Sequence, residues 1–147
     1  MDNDLAVTDC CPGFGSVAKY VINSTIEAAL DVESMAASST KVFILEVMGR
    51  HAGWIAASSA VAIESHPHAP DLILLPEITF KERDFLRKVK DTVASKGFCV
   101  VVASEGIKNN KGRFIAESGL KDAFGHSQLG GVAPTLANII SKKTGLK

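Results

Sequence analysis

No apolar run in this sequence approaches the roughly 20 residues that a helical membrane span needs. An excess of one charge is also lacking, since 16 Lys and Arg face 16 Asp and Glu. With both signs mixed along the chain, there is no basic footprint for nucleic acid and no patch for a membrane surface. The first residues are acidic, which does not fit a signal peptide. Cysteine is scarce: Cys10, Cys11 and Cys99 show no metal-ligand spacing and cannot all pair within one chain. A reducing, cytoplasmic compartment is therefore expected. Aromatic residues make up only 6% of the chain while glycine occurs 12 times, as in close-packed α/β proteins. The length, 147 residues, suits one domain with a real core.

The most informative stretch runs from Lys41 to Trp54. Val42 to Val47 is apolar apart from Glu46 and rich in β-branched residues, which predicts a buried strand. Met48-Gly49-Arg50-His51 then predicts a tight polar turn, and Ala52 to Ile63 a small apolar helix. In parallel α/β sheets such a turn lies at the carboxyl end of a strand, where ligands bind. A guanidinium beside the first helical N–H groups suits an anion, most simply a phosphate. The plainer reading makes Arg50 a solvated loop residue and Gly49 a turn former.

Further strands are expected at Asp71–Leu75, ended by Pro76-Glu77, and at Phe98–Ala103, ended by Ser104-Glu105-Gly106. Helices are expected over Ser16–Val32, Phe80–Lys96 and Ala133–Lys143. Thr79 with Glu82 reads as a capping box for the second of these, and Gly97 as its stop. The stretch Leu120–Leu129 fits neither period. His66 and His68 stand between prolines and read as exposed loop histidines rather than metal ligands. Gly13-Phe14-Gly15-Ser16-Val17-Ala18 matches a dinucleotide fingerprint in letters, but that motif requires a hydrophobic strand before it, and Pro12 with two cysteines stands there instead.

Strands alternating with helices imply an α/β fold, a parallel sheet with helices on both faces. The polar residues that follow its strands then share one edge, so one cleft could gather Arg50, Glu77 and Glu105. That combination suits a ligand with both phosphate and hydroxyl groups, such as a sugar phosphate. At the N-terminus, Asp2 and Asp4 are two residues apart. On an extended segment they point to one side and could share a cation such as Mg2+, or divide the work of base and metal holder. An acidic tail is the plainer alternative.

Taken in order, these residues resemble the 6-phosphofructokinase family. Asp2-Asn3-Asp4 looks like the end of its T-I-D-N-D motif, with Met1 at the isoleucine. Thr8-Asp9 and Gly13-Phe14 resemble the T-D and G-F elements that follow. Glu46-Val47-Met48-Gly49-Arg50 is similar to its E-V-M-G-R motif, and Pro76-Glu77 to its P-E motif. Pro12-Gly13-Phe14-Gly15 and His51-Ala52-Gly53-Trp54 look most like the pyrophosphate-dependent branch. The resemblance implies a phosphofructokinase-like fold and transfer of a phosphoryl group, from pyrophosphate or ATP with Mg2+, to the 1-hydroxyl of fructose 6-phosphate in glycolysis. It implies that Asp2 is the general base and that Asp4 supports the phosphoryl group and its metal. By the same resemblance, Met48, Gly49 and Arg50 are expected to bind the sugar phosphate, and Glu77 to take a sugar hydroxyl.

Departures from the pattern carry expectations too. The family's glycine-rich donor region would precede Asp2-Asn3-Asp4, so residues 1–147 read as one domain, the sugar-phosphate half of an enzyme, expected to be inactive alone. A family arginine offered across a subunit interface of a homo-oligomer falls at Lys41, which keeps the charge and loses the bidentate fork. His126-Ser127-Gln128-Leu129 imitates a late H-x-Q-R element with leucine in place of arginine, so His126 is not assigned to the site. The alternatives are a non-catalytic sugar-phosphate-binding or assembly module, and a dinucleotide-binding domain built on Gly13 and Gly15. The shared structural expectation is that Arg50 and Glu77 lie on one edge of a parallel sheet.

Overall fold

The computed structural model describes residues 7, 9–121, 127–129 and 131–147. Helix α1 spans Phe14–Met35, strand β1 Val42–Val47 and helix α2 Trp54–Ser58, which runs on as a 3-10 segment over Ser59–Glu64. Strand β2 is Leu72–Leu74, helix α3 Glu82–Lys96 and strand β3 Cys99–Ser104. A short hairpin pairs β4, Glu117–Lys121, with β5, Ser127–Leu129, and helix α4 covers Val132–Thr144.

The sheet has the order β1-β3-β2, and both pairings are parallel. The centre is therefore β3 and not the Val42–Val47 strand that dominates the sequence. All six residues of β3 are buried. Alternation along it divides the core, because successive side chains of a strand point to opposite faces. Cys99, Val101 and Ala103 pack with Phe85 and Val89 of α3 and with Val132, Leu136 and Ile140 of α4. Val100 packs with Ala29 and Val32 of α1, and Val102 with Val21 of α1 and Ala56 of α2. Helices thus cover both faces, and the register carries the same division into β1 and β2. Val42, Ile44, Leu72 and Leu74 join the first cluster, whereas Phe43, Leu45 and Ile73 face α1 and α2.

Glu46, the one charge in the apolar run, sits opposite Ala103 and so faces the α4 side. Its Oε2 accepts the Ala133 N–H at 2.9 Å, at the amino end of α4. A carboxylate there satisfies a donor that the helix itself cannot pair and meets the positive end of its dipole. No side-chain cap is made from within α4, so the strand supplies what the helix lacks.

Several local expectations are corrected. His66 is buried and not exposed, with its Nε2 3.3 Å from Glu33 Oε2 of α1. Thr79 does not cap α3. The helix begins at Glu82 after an extended Lys81, and the Phe80 N–H is drawn away to the Lys108 carbonyl at 2.7 Å. Glu82 and Asp84 in the first turn supply the negative charge that favours a helix start. Gly97 does end the helix, in the left-handed conformation that glycine adopts without penalty. The unassigned stretch 120–129 contributes to the β4–β5 hairpin. The expected helix 52–63 is divided between α2 and the 3-10 segment.

Both outer strands leave an open flank. A groove of about 400 Å3 follows β2 beneath Phe80 and Phe85, and a smaller one follows β1 beside Ile140 and Leu146. Tyr20, Leu30 and Trp54 are exposed on α1 and α2. Among the described residues, no helix is long and apolar enough to cross a membrane.

Burial, reinforced by nearby Asp71, pushes the Cys99 thiol from 9.0 up to about 12. Cys10 and Cys11 are exposed. Thiol titration at pH 8 should therefore modify two cysteines in the native chain and Cys99 only after unfolding. Because the unfolded thiol loses its proton first, the Cys99 contribution to stability is intact below pH 9 and falls as pH rises from 9 towards 12. Denaturant curves across that range should show a slope that Cys99→Ala reduces.

Candidate active site

The polar residues past β1, β2 and β3 come together at one edge of the sheet, as parallel strands require. The path leaving β1 leads to α2 on one face, while that leaving β3 leads to α4 on the other. Adjacent strands whose connections part in this way open a crevice at their carboxyl ends.

Each side of the crevice is tied down by backbone contacts. The Glu105 N–H donates to the Val47 carbonyl at 2.9 Å, extending the ladder by one step. Ser104 is a hub: its hydroxyl donates to the Gly49 carbonyl at 2.5 Å and accepts from the Gly106 N–H at 3.2 Å. Gly49 has φ of 142°, a conformation that L side chains rarely adopt, and its N–H donates to Glu105 Oε1 at 3.3 Å. From the β2 side, Glu77 Oε1 accepts the Gly53 N–H at 2.7 Å. An added Cβ at Gly53 would stand 2.8 Å from Glu77 Oε2 and from Leu75 Cδ2, so a side chain there would push the Glu77 carboxylate aside.

Arg50 and Glu77 therefore lie on the same edge, as expected, and Glu105 joins them through Gly49. Met48 is exposed beside them, and Arg50 is half-buried. Among the described residues Glu77 Oε2 accepts no hydrogen bond, while Glu77 and Glu105 each accept one backbone N–H. Lys41 is not brought to this cluster. It precedes β1, at the opposite edge of the sheet, and its Nζ donates to the Ala36 carbonyl at 2.8 Å, at the carboxyl end of α1. A cation there complements the helix dipole. Asp2, Asp4 and His126 lie outside the described residues.

Sequence reasoning missed Ser104 as the link between two loops, and it missed the closeness of Gly53 and Gly106. Each has a signal in hindsight: a small polar residue closing an otherwise apolar strand, and glycines one or a few steps past a strand end. Among the described residues no strand precedes Gly13, so the dinucleotide fingerprint lacks its structural context. Among them, too, no group of three His, Cys, Asp or Glu side chains is placed to hold a metal ion.

Fold and geometry together define an α/β layer protein whose polar strand ends gather at the carboxyl edge of a parallel sheet. The family described as "Phosphofructokinase" matches residues 1–147. The chain belongs to the phosphofructokinase family. It is 56% identical over 147 residues to a pyrophosphate–fructose 6-phosphate 1-phosphotransferase of Methylococcus capsulatus, covering 100% of this chain and 35% of that protein. The similarly named protein of Xanthomonas campestris pv. campestris is 57% identical over 148 residues, again with 35% of its length covered. Among solved structures, a pyrophosphate-dependent phosphofructokinase from Marinobacter aquaeolei superposes with a TM-score of 0.76 at 51% identity, over 99% of this chain and 33% of that one. The chain thus spans about one third of the length of these relatives.

An added Cβ at Gly106 would lie 2.1 Å from the Arg50 carbonyl oxygen, whereas at Gly13 it would meet nothing within 4 Å. Gly106→Ala should therefore displace the Arg50 loop and cost about 2 kcal/mol or more. Gly13→Ala meets no clash and should cost only the weaker N-cap preference of alanine, about 1 kcal/mol or less. Urea unfolding of the two variants side by side checks the contrast.

Proposed function

We propose that this chain is the sugar-phosphate-binding part of an enzyme that transfers a phosphoryl group from pyrophosphate to the 1-hydroxyl of fructose 6-phosphate, a step of glycolysis in the cytoplasm. The observation that carries the reading is the convergence of Met48-Gly49-Arg50 and Glu77 on one sheet edge, with both nearby carboxylates turned to backbone amides. Pyrophosphate is favoured over ATP as donor by the names of the relatives at 56 to 57% identity. A relative named an ATP-dependent 6-phosphofructokinase, from Streptomyces coelicolor, is 36% identical.

In this reading Asp2 takes the proton of the 1-hydroxyl as its oxygen bonds to phosphorus, and the bridging P–O bond of pyrophosphate breaks to release phosphate. Phosphoryl transfer of this kind relies on positioning and charge neutralisation. A carboxylate with an ordinary pKa suffices as acceptor once the transition state acidifies the hydroxyl. Arg50 neutralises phosphate charge with a planar fork of donors. Glu77 Oε2 accepts a sugar hydroxyl while Oε1 stays on Gly53. Met48 and Gly49 shape the wall against which the sugar rests. Asp4 with phosphate oxygens is the all-oxygen donor set that Mg2+ takes, and the ion would supply further charge neutralisation. Lys41 serves the neighbouring copy of a homo-oligomer.

Calorimetric titration with fructose 6-phosphate tests the reading. The 147-residue chain should bind saturably and show no turnover by itself. Arg50→Ala should weaken binding about tenfold or more, and Asp2→Ala should leave it within about twofold. Absence of binding in a cooperatively folded chain would overturn the assignment. Binding that ignores Arg50 would favour a module that holds sugars without reference to their phosphate.

A further inference from the structure

The loop after β3 carries a cation that the family motifs do not mention. Residues 105–116 fold back as a braced hairpin. Lys108 bridges Phe114 across it, the Asn109 N–H donates to the Arg113 carbonyl at 2.9 Å, and Asn109 Oδ1 accepts the Lys111 and Arg113 N–H groups at 2.9 and 3.1 Å. The hairpin is anchored at its base by buried Ile107 and by the Phe80 N–H on the Lys108 carbonyl at 2.7 Å. Its start abuts the Arg50 backbone at Gly106. The backbone that carries Lys108 is therefore fixed against the site.

Its side chain is directed as well. Lys108 Nζ lies 4.9 Å from the centroid of the Phe114 ring and 3.4 Å from His51 Nδ1. The His51 and Phe114 rings lie 6.1 Å apart, so the three form one cluster beside Arg50. An ammonium can only donate, so in this contact the ring nitrogen of His51 is the acceptor. Among the described residues Lys108 has no carboxylate at ion-pair distance. The two glutamates of the edge are turned to Gly49 and Gly53 instead. A half-buried cation on an aromatic ring, on a backbone fixed two residues past the Gly106–Arg50 contact, suits an anion at the same edge.

We infer that Lys108, supported by Phe114 and His51, forms with Arg50 a subsite for a phosphate dianion. This rests on the function proposed above for the same edge. The phosphate could come from the sugar phosphate or from pyrophosphate, whose charge and acceptor oxygens are alike.

The test titrates the 147-residue chain with fructose 6-phosphate, with fructose and with pyrophosphate, in the parent and in Lys108→Met and Lys108→Arg. Methionine keeps an unbranched apolar stem over Phe114 and removes the charge. The expected result is about tenfold weaker binding of one phosphate-bearing probe in Lys108→Met, with recovery to within about threefold in Lys108→Arg. The salt dependence of binding should also become shallower in Lys108→Met. Loss on fructose 6-phosphate places the subsite under the sugar phosphate, and loss on pyrophosphate places it under the donor. If fructose 6-phosphate fails to bind the parent but pyrophosphate binds and depends on Lys108, the subsite stands and the sugar assignment falls. If fructose 6-phosphate binds through Arg50 and Lys108→Met changes neither probe, the sugar assignment stands and the subsite is overturned. Equal losses in both variants would also overturn it, since packing and not charge would then be responsible. A parent chain that binds neither probe overturns both.

Discussion

The six-residue parallel pairing of Val42–Val47 with Cys99–Ser104 is the constraint on which the rest of the structure depends. It fixes the alternation of β3, and through it the division of the core between α1 with α2 and α3 with α4. A slip of one residue would turn Val100 and Val102 to the wrong face and carry Glu46 away from α4. The same register sets Val47 against Ser104, so the chains leaving β1 and β3 emerge side by side. Ser104 then needs only one hydroxyl to join Gly49 to Gly106. The site is in this sense the continuation of the ladder past the point where strand geometry ends.

Three glutamates at these strand ends behave alike. Glu46 accepts from Ala133, Glu77 from Gly53 and Glu105 from Gly49, each joining segments far apart in sequence. A carboxylate that accepts a backbone N–H makes a stronger bond than a neutral acceptor does. The electrostatic result reaches beyond stability. The negative charges of the edge are directed inward to amides, and among the described residues neither Arg50 nor Lys108 has a carboxylate at ion-pair distance. A phosphate could enter without first displacing a carboxylate from either cation, which is the form that preorganisation takes in a charged site.

Much of this was legible in the sequence because it follows from strand chemistry. The β-branched run at 42–47 and the run at 98–103 announce strands, and alternating elements announce a parallel sheet. Parallel strands alone then put Arg50, Glu77 and Glu105 on one edge. What stayed hidden depends on distance between separate segments. Nothing local marks β3 as the centre, since β1 and β3 are equally apolar. Thr79 and Glu82 have the spacing of a capping box, but tertiary pairing of Phe80 with Lys108 overrides it. The β4–β5 hairpin lacks both a clear alternation and a two-residue turn signal. Lys108 reads as one charge in a polar lysine-rich loop until Phe114 and His51 are seen beside it.

Lys41 shows how topology limits what a side chain can serve. It precedes β1, while Met48-Gly49-Arg50 follows it. A strand rises about 3.3 Å per residue, so roughly 20 Å separates the two ends. The Lys41 ammonium also points back to the Ala36 carbonyl, at the end of α1. No rotamer of one lysine spans that distance along a fixed strand. A Lys41 that reaches a phosphate held at Arg50 must therefore come from another copy of the chain, and doing so it must release the end of α1. A lysine can make that exchange because its ammonium is a compact charge on a flexible stem. An arginine at the same position would offer a bidentate fork to the phosphate, and the two roles of residue 41 would then be weighted towards the neighbouring subunit.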